Sequence, residues 1–369
     1  MTFTEFDQLM MRRALDLAER GMYSTHPNPR VGCVIVQGQR IVGEGWHRKW
    51  GEPHAEPIAL AAAGDAAKGA TVYVTLEPHS YHGRTPPCTD ALIRAGVKRV
   101  ICGAMETNPQ VAGRGLEQLR AAGLDAEYGL LEAEARALNK GFDHRMRTGK
   151  PRVVVKIAAS IDGRIALATG ESRWITGEAA RADVQRLRAQ SSAVLTGIET
   201  VIADDPQLTV RDPTLDLAGR VPMRVVLDST LRMSASARML SEPGETLIFT
   251  SKRADAQRAT ALESAGAKVL RVDESSVGRL DWASVLTQLG ERMCNDVLVE
   301  AGPTIAGDLL AASVIDELIV YIAPKVLGPR AKPMIAINEL TSLSDAPRFE
   351  CITTERIGDD VKLTFEPRR

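Results

Sequence analysis

The sequence has no excess of charge of either sign, no long apolar run and few cysteines. Its 369 residues include 46 Lys and Arg against 47 Asp and Glu, so no net positive field attracts nucleic acid or an anionic membrane. No run of about 18 apolar residues is present, which excludes a helix that spans a bilayer. Five scattered cysteines do not form a disulfide framework and are typical of the reducing cytoplasm. We therefore expect a cytoplasmic protein that binds neither nucleic acid nor membrane.

Histidine is absent after residue 144, since all six histidines lie at positions 26, 47, 54, 79, 82 and 144. Chemistry that uses imidazole therefore belongs to the first part of the chain. The length suggests two domains, at roughly 100–200 residues each. Residues 139–151 are polar and basic and close with Gly and Pro, so they predict a linker, or a helix end that leads into one. We place the domains at 1–148 and 149–369.

The first domain is predicted to alternate strands and helices. It begins with a charged, amphipathic helix pattern in place of the apolar segment of a signal peptide. Such alternation implies helices that cover a mostly buried sheet, with catalytic groups at strand ends and helix starts. The predicted strands are 31–36, 40–46, 71–76 and 98–103, and the predicted helices are 54–63, 87–95 and 115–122.

Two histidines, a glutamate and a cysteine occupy such positions. His54 and Glu56 open a predicted helix, His79 follows the 71–76 strand, and Cys88 opens the next helix. Zinc deaminases carry H-x-E followed by P-C-x-x-C, and here histidine stands where the first cysteine is expected. A catalytic zinc takes three protein ligands and keeps one position for water, beside which Glu56 could move protons. The alternative is that His54 and Glu56 are only polar residues of a helix start.

The second domain has no G-x-G-x-x-G dinucleotide fingerprint and instead offers one strand, glycine turn and helix in succession. The predicted strand 297–299 leads into Glu300, and residues 302–307 (GPTIAG) lead into an apolar helix. A helix N-terminus behind such a turn binds phosphate groups. The turn lacks the Lys-Ser/Thr of an ATP-binding loop, so a cofactor other than ATP is favoured. The alternative is an ordinary joint of an α/β domain.

Ten sequence runs resemble the RibD family of bifunctional riboflavin biosynthesis enzymes over essentially the whole chain. They are HPNPRVGCVIV, GEPHAE, TLEP, GRTPPC, ALIRAGVKRV and NPQVAGRGLEQL, then KIAASIDGRIA, GESRWIT, LRAQSSAVLTGIETVIADDPQLTVR and VEAGPTIAGDLL. The resemblance implies an α/β fold with a cytidine-deaminase-like three-layer domain followed by a dihydrofolate-reductase-like domain. It implies zinc-dependent deamination of 2,5-diamino-6-ribosylamino-4(3H)-pyrimidinone 5′-phosphate, then NADPH reduction of the ribosyl group to the ribityl chain. The expected partner is thus a small phosphorylated pyrimidine, and a homo-oligomer is expected.

The resemblance places the zinc ligands at His54, His79 and Cys88, with Glu56 as the proton shuttle. Members of the family normally have Cys at the position of His79 and His at the position of Tyr81. One thiolate fewer leaves the zinc with a single anionic ligand. This predicts a more acidic bound water and weaker metal retention.

His82 is the rival ligand. The P-C-x-x-C spacing, taken literally, selects His79 and His82 and leaves Cys88 out. Cys88 is favoured because it lies in an intact GRTPPC run and opens a helix, whose dipole stabilises a thiolate. His82 then faces substrate or solvent. A further alternative is a closed structural site in which all four residues, His54, His79, His82 and Cys88, bind the metal. Such a site would leave no position for water.

The resemblance also implies three substrate contacts in the deaminase domain. Asn28 would point its amide at the pyrimidine edge, His47 would contact the substrate, and Arg84 would pair with its phosphate. Each residue has a plainer alternative. Asn28 between prolines is ordinary turn chemistry, His47 is a structural histidine, and Arg84 is a solvated arginine of a loop.

Two groups of contact residues follow from the resemblance in the reductase domain. Two arginines, Arg188 and Arg211, suit a 5′-phosphate, and Glu300 suits the ribose hydroxyls. The plainer alternatives are that Arg188 is a solvated residue of a helix and that Asp204 belongs to an ordinary turn. The substrate contacts are Ser172, Arg188, Leu208, Arg211 and Glu300. The nicotinamide cofactor contacts are Ala158, Trp174, Thr200, Asp204, Ser229, Gly302, Pro303, Thr304, Ile305, Ala306, Gly307 and Asp308. Lys156 and Asp162 receive no role.

Two other functions fit parts of the pattern. A nucleic-acid base deaminase is disfavoured by the balanced charge and by the cofactor-like second domain. A zinc-stabilised nucleotide-binding protein without turnover would release no ammonia. An enzyme would release ammonia, and its Glu56→Gln variant would stop releasing it while zinc stayed bound.

Overall fold

Two compact units make up the chain, which a computed structural model describes over residues 3–83, 86–108, 112–276 and 278–368. One unit comprises Met1–Gly149 with Asp216–Arg220, and the other comprises Lys150–Leu215 with Val221–Arg369. None of the helices in these described ranges is long and apolar enough to cross a membrane.

The first unit is built on one sheet. Its strands are β1 (Gly32–Gln37), β2 (Arg40–Trp46), β3 (Thr71–Leu76), β4 (Arg99–Ala104) and β5 (Asp125–Tyr128). Its helices are α1 (Glu5–Glu19), α2 (Ala55–Ala63), α3 (Cys88–Arg94), α4 (Arg114–Ala121), α5 (Glu132–Leu138) and α6 (Lys140–Thr148). The strand order is β2-β1-β3-β4-β5, antiparallel as far as β3 and parallel from β3 to β5.

Helices cover both faces of this sheet because successive side chains of a strand point to opposite faces. On β3, Val72 and Val74 pack with α2, α3 and α4, whereas Tyr73 packs with α1 and α5. The central strands are accordingly buried on both faces. The three-layer arrangement that the resemblance implied is confirmed, and the predicted elements differ from the observed ones by no more than one residue at either end.

A capping box starts the first helix and joins it to the sheet. The Thr4 hydroxyl accepts the Asp7 N–H at 3.1 Å, and the Asp7 carboxylate accepts the Thr4 N–H at 2.8 Å. Asp7 is buried, and its other oxygen accepts the Tyr73 hydroxyl at 2.7 Å and the Arg99 guanidinium at 3.1 Å. One carboxylate therefore ties α1 to β3 and β4.

The segment predicted as a linker or a helix end is a helix. Residues 140–148 form α6, which stops at Gly149, whose positive φ of 72° suits glycine. The two compact units divide directly after this residue.

The second unit contains a larger sheet. The strands of this unit are β6 (Arg152–Ser160), β7 (Arg164–Ala166), β8 (Ala193–Gly197), β9 (Met223–Leu227), β10 (Thr246–Ser251), β11 (Ala267–Val272), β12 (Asp296–Val299), β13 (Glu317–Ala323), β14 (Lys332–Pro333), β15 (Phe349–Ile357) and β16 (Asp360–Pro367), of which β7 and β14 pair in a separate two-stranded sheet. Its helices are α7 (Glu178–Gln190), α8 (Ile198–Asp204), α9 (Arg238–Ser241), α10 (Ala256–Ser264), α11 (Trp282–Glu291) and α12 (Pro303–Ala311).

Seven parallel strands set the direction of this sheet. The order is β11-β10-β9-β8-β12-β6-β13-β16-β15; β16 runs antiparallel to both of its neighbours, β13 and β15, and the other pairs are parallel. Helices α11 and α12 pack on one face, and α7, α8 and α10 pack on the other. The carboxyl ends of the parallel strands therefore share one edge, where α/β sheets bind ligands.

Candidate active sites

The first candidate site lies where β3 ends and where α2 and α3 begin. His54 is the N-cap of α2, and Cys88 is the first residue of α3. Gly45 lets α2 approach β2 closely, because a Cβ there would lie 2.5 Å from a backbone oxygen of the helix. The Thr89 N–H of α3 donates to the carbonyl of His79 at 3.3 Å. These contacts bring the starts of two helices against the segment that carries His79.

Three side chains converge at this point. Ligand atoms of His54, His79 and Cys88 lie within 4.8 Å of one another. Cys88 Sγ is 3.5 Å from His54 Nδ1, close to the roughly 3.6 Å expected of sulfur and nitrogen on one tetrahedral zinc. Tyr81 packs its ring edge-on against His79, with centroids 5.6 Å apart. His82 is exposed and lies outside the cluster, so the geometry favours the ligand set that contains Cys88.

Burial governs the charge of these groups. It lowers the pKa of His54 to about 3, with His79 and His47 adding to the effect, so the imidazole is neutral and able to bind a metal. Burial also raises the pKa of the Cys88 thiol, and the nearby Glu56 carboxylate raises it further. The start of the seven-residue α3 therefore does not by itself produce the thiolate that its dipole led us to expect. A cation beside Sγ would produce it.

Glu56 supplies the second indication of a metal. It is 3% exposed, and burial raises its pKa. Its Oε2 atom is buried and has no hydrogen-bond partner among the described residues, which is unusual for a carboxylate oxygen. A water beside a metal at the three ligands would satisfy this atom. The donor set and the unpaired oxygen together fit zinc.

Two of the three predicted substrate contacts adjoin this cluster. The His47 ring lies 5.2 Å from that of His54, centroid to centroid, and is 2% exposed. Both of its nitrogens are engaged, Nδ1 at 3.1 Å from the Pro53 oxygen and Nε2 at 3.0 Å from the Asn28 amide nitrogen. Arg84 lies outside the described residues.

Glu77 supports the site and was missed in the sequence. Its buried carboxylate accepts the backbone N–H groups of Glu106 at 3.2 Å, Gly113 at 2.9 Å and Leu116 at 3.1 Å. It thereby fixes the end of β3, two residues before His79, to the start of α4. The sequence does carry a signal for this role of Glu77. A carboxylate that directly follows a fully buried strand must accept several hydrogen bonds.

The second candidate site lies at the carboxyl edge of the larger sheet. Thr200 and Asp204 lie on α8 after β8, Ser229 follows β9, and residues 302–308 follow β12. Ala158 lies near the end of β6. Side chains predicted from the resemblance to bind a cofactor are thus contributed by four strands that are neighbours in the sheet.

Gly302 marks the point where a phosphate would fit. It is the N-cap of α12, with an extended backbone that any residue adopts, and a Cβ there would meet no atom of the described residues within 4 Å. Neither conformation nor packing requires this glycine, so space remains in front of the helix N-terminus. Gly307 differs, because a Cβ there would lie 1.7 Å from the Ala336 oxygen. Asp308 is already paired with Arg279. The turn therefore fits a dinucleotide phosphate at its first glycine.

Glu300 and Arg188 form a bidentate ion pair at this edge. The two hydrogen bonds measure 2.6 and 3.0 Å, and a third guanidinium nitrogen donates to the Thr209 oxygen at 3.0 Å. Arg188 is 8% exposed. The backbone of Glu300 bonds to Leu195 and Thr196 of β8, which holds its carboxylate in place.

The remaining substrate contacts differ in what they can offer. Arg211 is exposed, and within the described ranges no carboxylate forms an ion pair with it, so it is better placed than Arg188 to bind a phosphate. Leu208 buries its side chain in the core, which leaves only its main chain for contact. Lys156, to which the sequence assigned no role, lies near Glu300; burial lowers its pKa, and the carboxylate opposes that effect.

Ser172 and Trp174 lie in the loop between β7 and α7. Trp174 is 62% exposed, and its carbonyl accepts the Lys325 ammonium at 2.6 Å. Arg173 donates to the Asp204 carbonyl at 2.8 Å. The loop is therefore joined to the end of α8, where two further cofactor contacts were predicted.

Two protein-family models match the chain. The model "RibD C-terminal domain" matches residues 151–363, and "Cytidine and deoxycytidylate deaminase zinc-binding region" matches residues 4–104. His54, His79 and Cys88 lie within the range of the second match.

Similar proteins cover the whole chain. Riboflavin biosynthesis protein RibD of Escherichia coli K12 is 51% identical over 97% of this chain and 98% of its own, and that of Haemophilus influenzae is 46% identical over 100% and 99%. The structure of Acinetobacter baumannii RibD superposes with a TM-score of 0.91 at 42% identity and 99% coverage of both chains. The diaminohydroxyphosphoribosylaminopyrimidine deaminase/5-amino-6-(5-phosphoribosylamino)uracil reductase of Thermotoga maritima superposes with 0.86 at 34% identity, over 98% and 99%.

Proposed function

The chain belongs to the RibD family of bifunctional, zinc- and NADPH-dependent deaminase–reductases of riboflavin biosynthesis, and on that basis we propose how its residues divide the work. Residues 1–148 carry the deaminase, and residues 149–369 carry the reductase. The substrates are those in the name of the Thermotoga relative, a diaminohydroxyphosphoribosylaminopyrimidine and then the corresponding uracil. The observation that carries the proposal is the group of three metal-binding side chains beside an unpaired, buried carboxylate oxygen.

In the deaminase, His54, His79 and Cys88 would hold zinc, which supplies Lewis-acid activation of the attacking water. Glu56 takes a proton from that water at Oε2 and returns it to the departing amine, which leaves as ammonia. The raised pKa of Glu56 suits this role, because the carboxyl group must hold the proton between the two steps. Asn28 meets the pyrimidine edge beside this carboxylate. Arg84 stays a prediction for the phosphate.

In the reductase, bound NADPH would supply the hydride for reduction at C1′ of the opened ribosyl group. The chain binds and orients the reactants. The α12 start at Gly302 takes a cofactor phosphate, and Thr200, Asp204 and Ser229 line the same edge. Trp174 contributes from the neighbouring loop.

Glu300 is proposed to accept hydrogen bonds from the ribose hydroxyls. Burial alone would raise its pKa, but Arg188 outweighs burial, so the pKa is lowered and the carboxylate stays ionised. Arg188 is thus a positioning residue that keeps Glu300 charged and aimed, and Arg211 is the arginine that binds the 5′-phosphate.

Both activities can be followed in one experiment. Zinc-loaded protein is given the diaminopyrimidine substrate and NADPH, and ammonia release and NADPH oxidation are recorded together. Arg188→Met should lower the rate of reduction by about 100-fold, because it leaves Glu300 buried without its counter-charge, while ammonia release continues. Arg186→Met, an exposed position on the same helix, is the matched control. Equal reduction rates in both variants, or no ammonia from the unmodified protein, would contradict the assignment.

We further propose that the protein is a homo-oligomer through its larger sheet. Strand β15 is the outermost strand, and in the described chain it pairs only with β16. It is exposed along almost its whole length, and Ile352 is 45% exposed. Long unprotected edge strands are normally covered. Light scattering should give at least twice the chain mass of 39.9 kDa, and Ile352→Lys should shift the mass towards one chain. A single-chain mass for the unmodified protein would refute this.

A cytoplasmic location is proposed as well. All five cysteines lie in the described part of the chain, and none of them forms a disulfide. Four of the five are buried thiols, which suits a reducing compartment.

A further inference from the structure

His47 connects Asn28 to the segment that carries a metal ligand. Its Nδ1 atom lies 3.1 Å from the carbonyl oxygen of Pro53, the residue before His54. Its Nε2 atom lies 3.0 Å from the side-chain nitrogen of Asn28. The ring is 2% exposed, so neither nitrogen is left to contact a substrate directly. His47 therefore acts through its neighbours.

The Pro53 carbonyl determines the direction of this chain of hydrogen bonds. A carbonyl oxygen can only accept, so Nδ1 must carry the proton. Both nitrogens of this buried imidazole are hydrogen-bonded to uncharged groups, so the ring is neutral and has a single N–H, which leaves a lone pair on Nε2. Asn28 must then present its NH₂ group to Nε2. The opposite amide rotamer would place the Oδ1 lone pairs against that of Nε2.

The orientation of Asn28 has a consequence for recognition. With one amide N–H bound to His47, Asn28 retains Oδ1 as an acceptor and its second N–H as a donor. Oδ1 receives no hydrogen bond from any residue of the described ranges. An acceptor next to a donor complements the lactam edge of a pyrimidinone, where a ring N–H adjoins a C=O. An aminopyrimidine edge has the reverse order, a ring nitrogen acceptor beside an amino donor.

We propose that His47 is a positioning residue which fixes the Asn28 amide so that the deaminase site accepts 4-oxo-pyrimidines and rejects 4-amino-pyrimidines. The inference rests on the proposed role of Asn28 in the deaminase. It replaces the expected contact of His47 with substrate by an indirect one. It also gives the chain a means of sparing cytosine nucleotides, whose edge would set acceptor against acceptor and donor against donor.

Binding of two nucleotides tests the proposal without requiring turnover. The zinc-loaded full chain is titrated with uridine 5′-monophosphate, which has the lactam edge, and with cytidine 5′-monophosphate, which lacks it. The uridine nucleotide should bind at least about tenfold more tightly, since the wrong edge leaves buried polar groups unpaired. His47→Phe should bring the ratio close to one, because the amide can then rotate. His47→Gln should preserve it, because a glutamine amide can donate to the Pro53 carbonyl and accept from Asn28.

A merely structural role for His47 would alter zinc content and Tm in both variants and leave the nucleotide ratio as it was. That result, or no preference in the unmodified protein, overturns the proposal. If His47→Phe does not fold, the ¹⁵N chemical shifts of the His47 ring in the unmodified protein test the proposal instead, because they show which ring nitrogen carries the proton. A proton on Nε2 is incompatible with the proposed orientation of Asn28. Failure of ammonia release would count against the deaminase assignment alone, because the nucleotide ratio is measured independently.

Discussion

Glu56→Gln should lower ammonia release by about 1000-fold while zinc stays bound. The amide has nearly the size of the carboxyl group but cannot take a proton at the position of Oε2, and positioned acid–base groups contribute roughly 10²–10⁴ in rate. Zinc should remain, because Glu56 lies beside the three ligands and is not one of them. NADPH oxidation with the deaminated substrate should continue. Ammonia, bound zinc and NADPH are measured on the same preparation.

Asp65→Asn is the matched control for this variant. Asp65 is an exposed carboxylate just beyond the other end of α2, and its neutralisation should leave ammonia release unchanged. Loss of zinc from Glu56→Gln would mean that the carboxylate holds the metal. Undiminished ammonia release would remove Glu56 from the proton path altogether.

Local patterns predict much of the deaminase site and leave one choice open. The strands and helices, and the placing of His54 and Glu56 at a helix start, follow from apolar periodicity and turn residues. The choice between Cys88 and His82 as the third zinc ligand does not follow from such patterns. Both residues come after His79 in a turn-rich segment that has no periodic signal. The Thr89 N–H donates to the His79 carbonyl, and this long-range contact holds the start of α3 beside His79.

Long-range pairing explains why the reductase site was less predictable. Arg188 and Glu300 are 112 residues apart in sequence, and they meet because β8 and β12 are neighbours in the sheet. Neither residue has a local signal for the other, so Arg188 was assigned to a phosphate by the resemblance alone. The structure gives its guanidinium three protein acceptors instead. Strand order, which depends on the whole domain, decides the role of such a residue.

Cys88→Ser should lower zinc affinity by at least about 100-fold. The thiolate is the only anionic ligand of the cluster, and even residues that merely orient metal ligands contribute 10- to 100-fold to affinity. Ammonia release should be lost together with the metal. NADPH oxidation with the deaminated substrate should persist, because the reductase residues belong to the other compact unit. Zinc retention is measured by competition with a chelator of known affinity.

His82→Ala distinguishes the two ligand sets that the sequence left open. His82 is exposed and outside the cluster, so its removal should leave zinc affinity unchanged and serves as the control for Cys88→Ser. The reverse pattern, with zinc lost from His82→Ala and kept by Cys88→Ser, would assign the metal to His54, His79 and His82. Three neutral ligands would then hold the zinc, and the buried Cys88 thiol would lack the cation that its ionisation requires. The two variants therefore decide both the ligand set and the charge of the metal site.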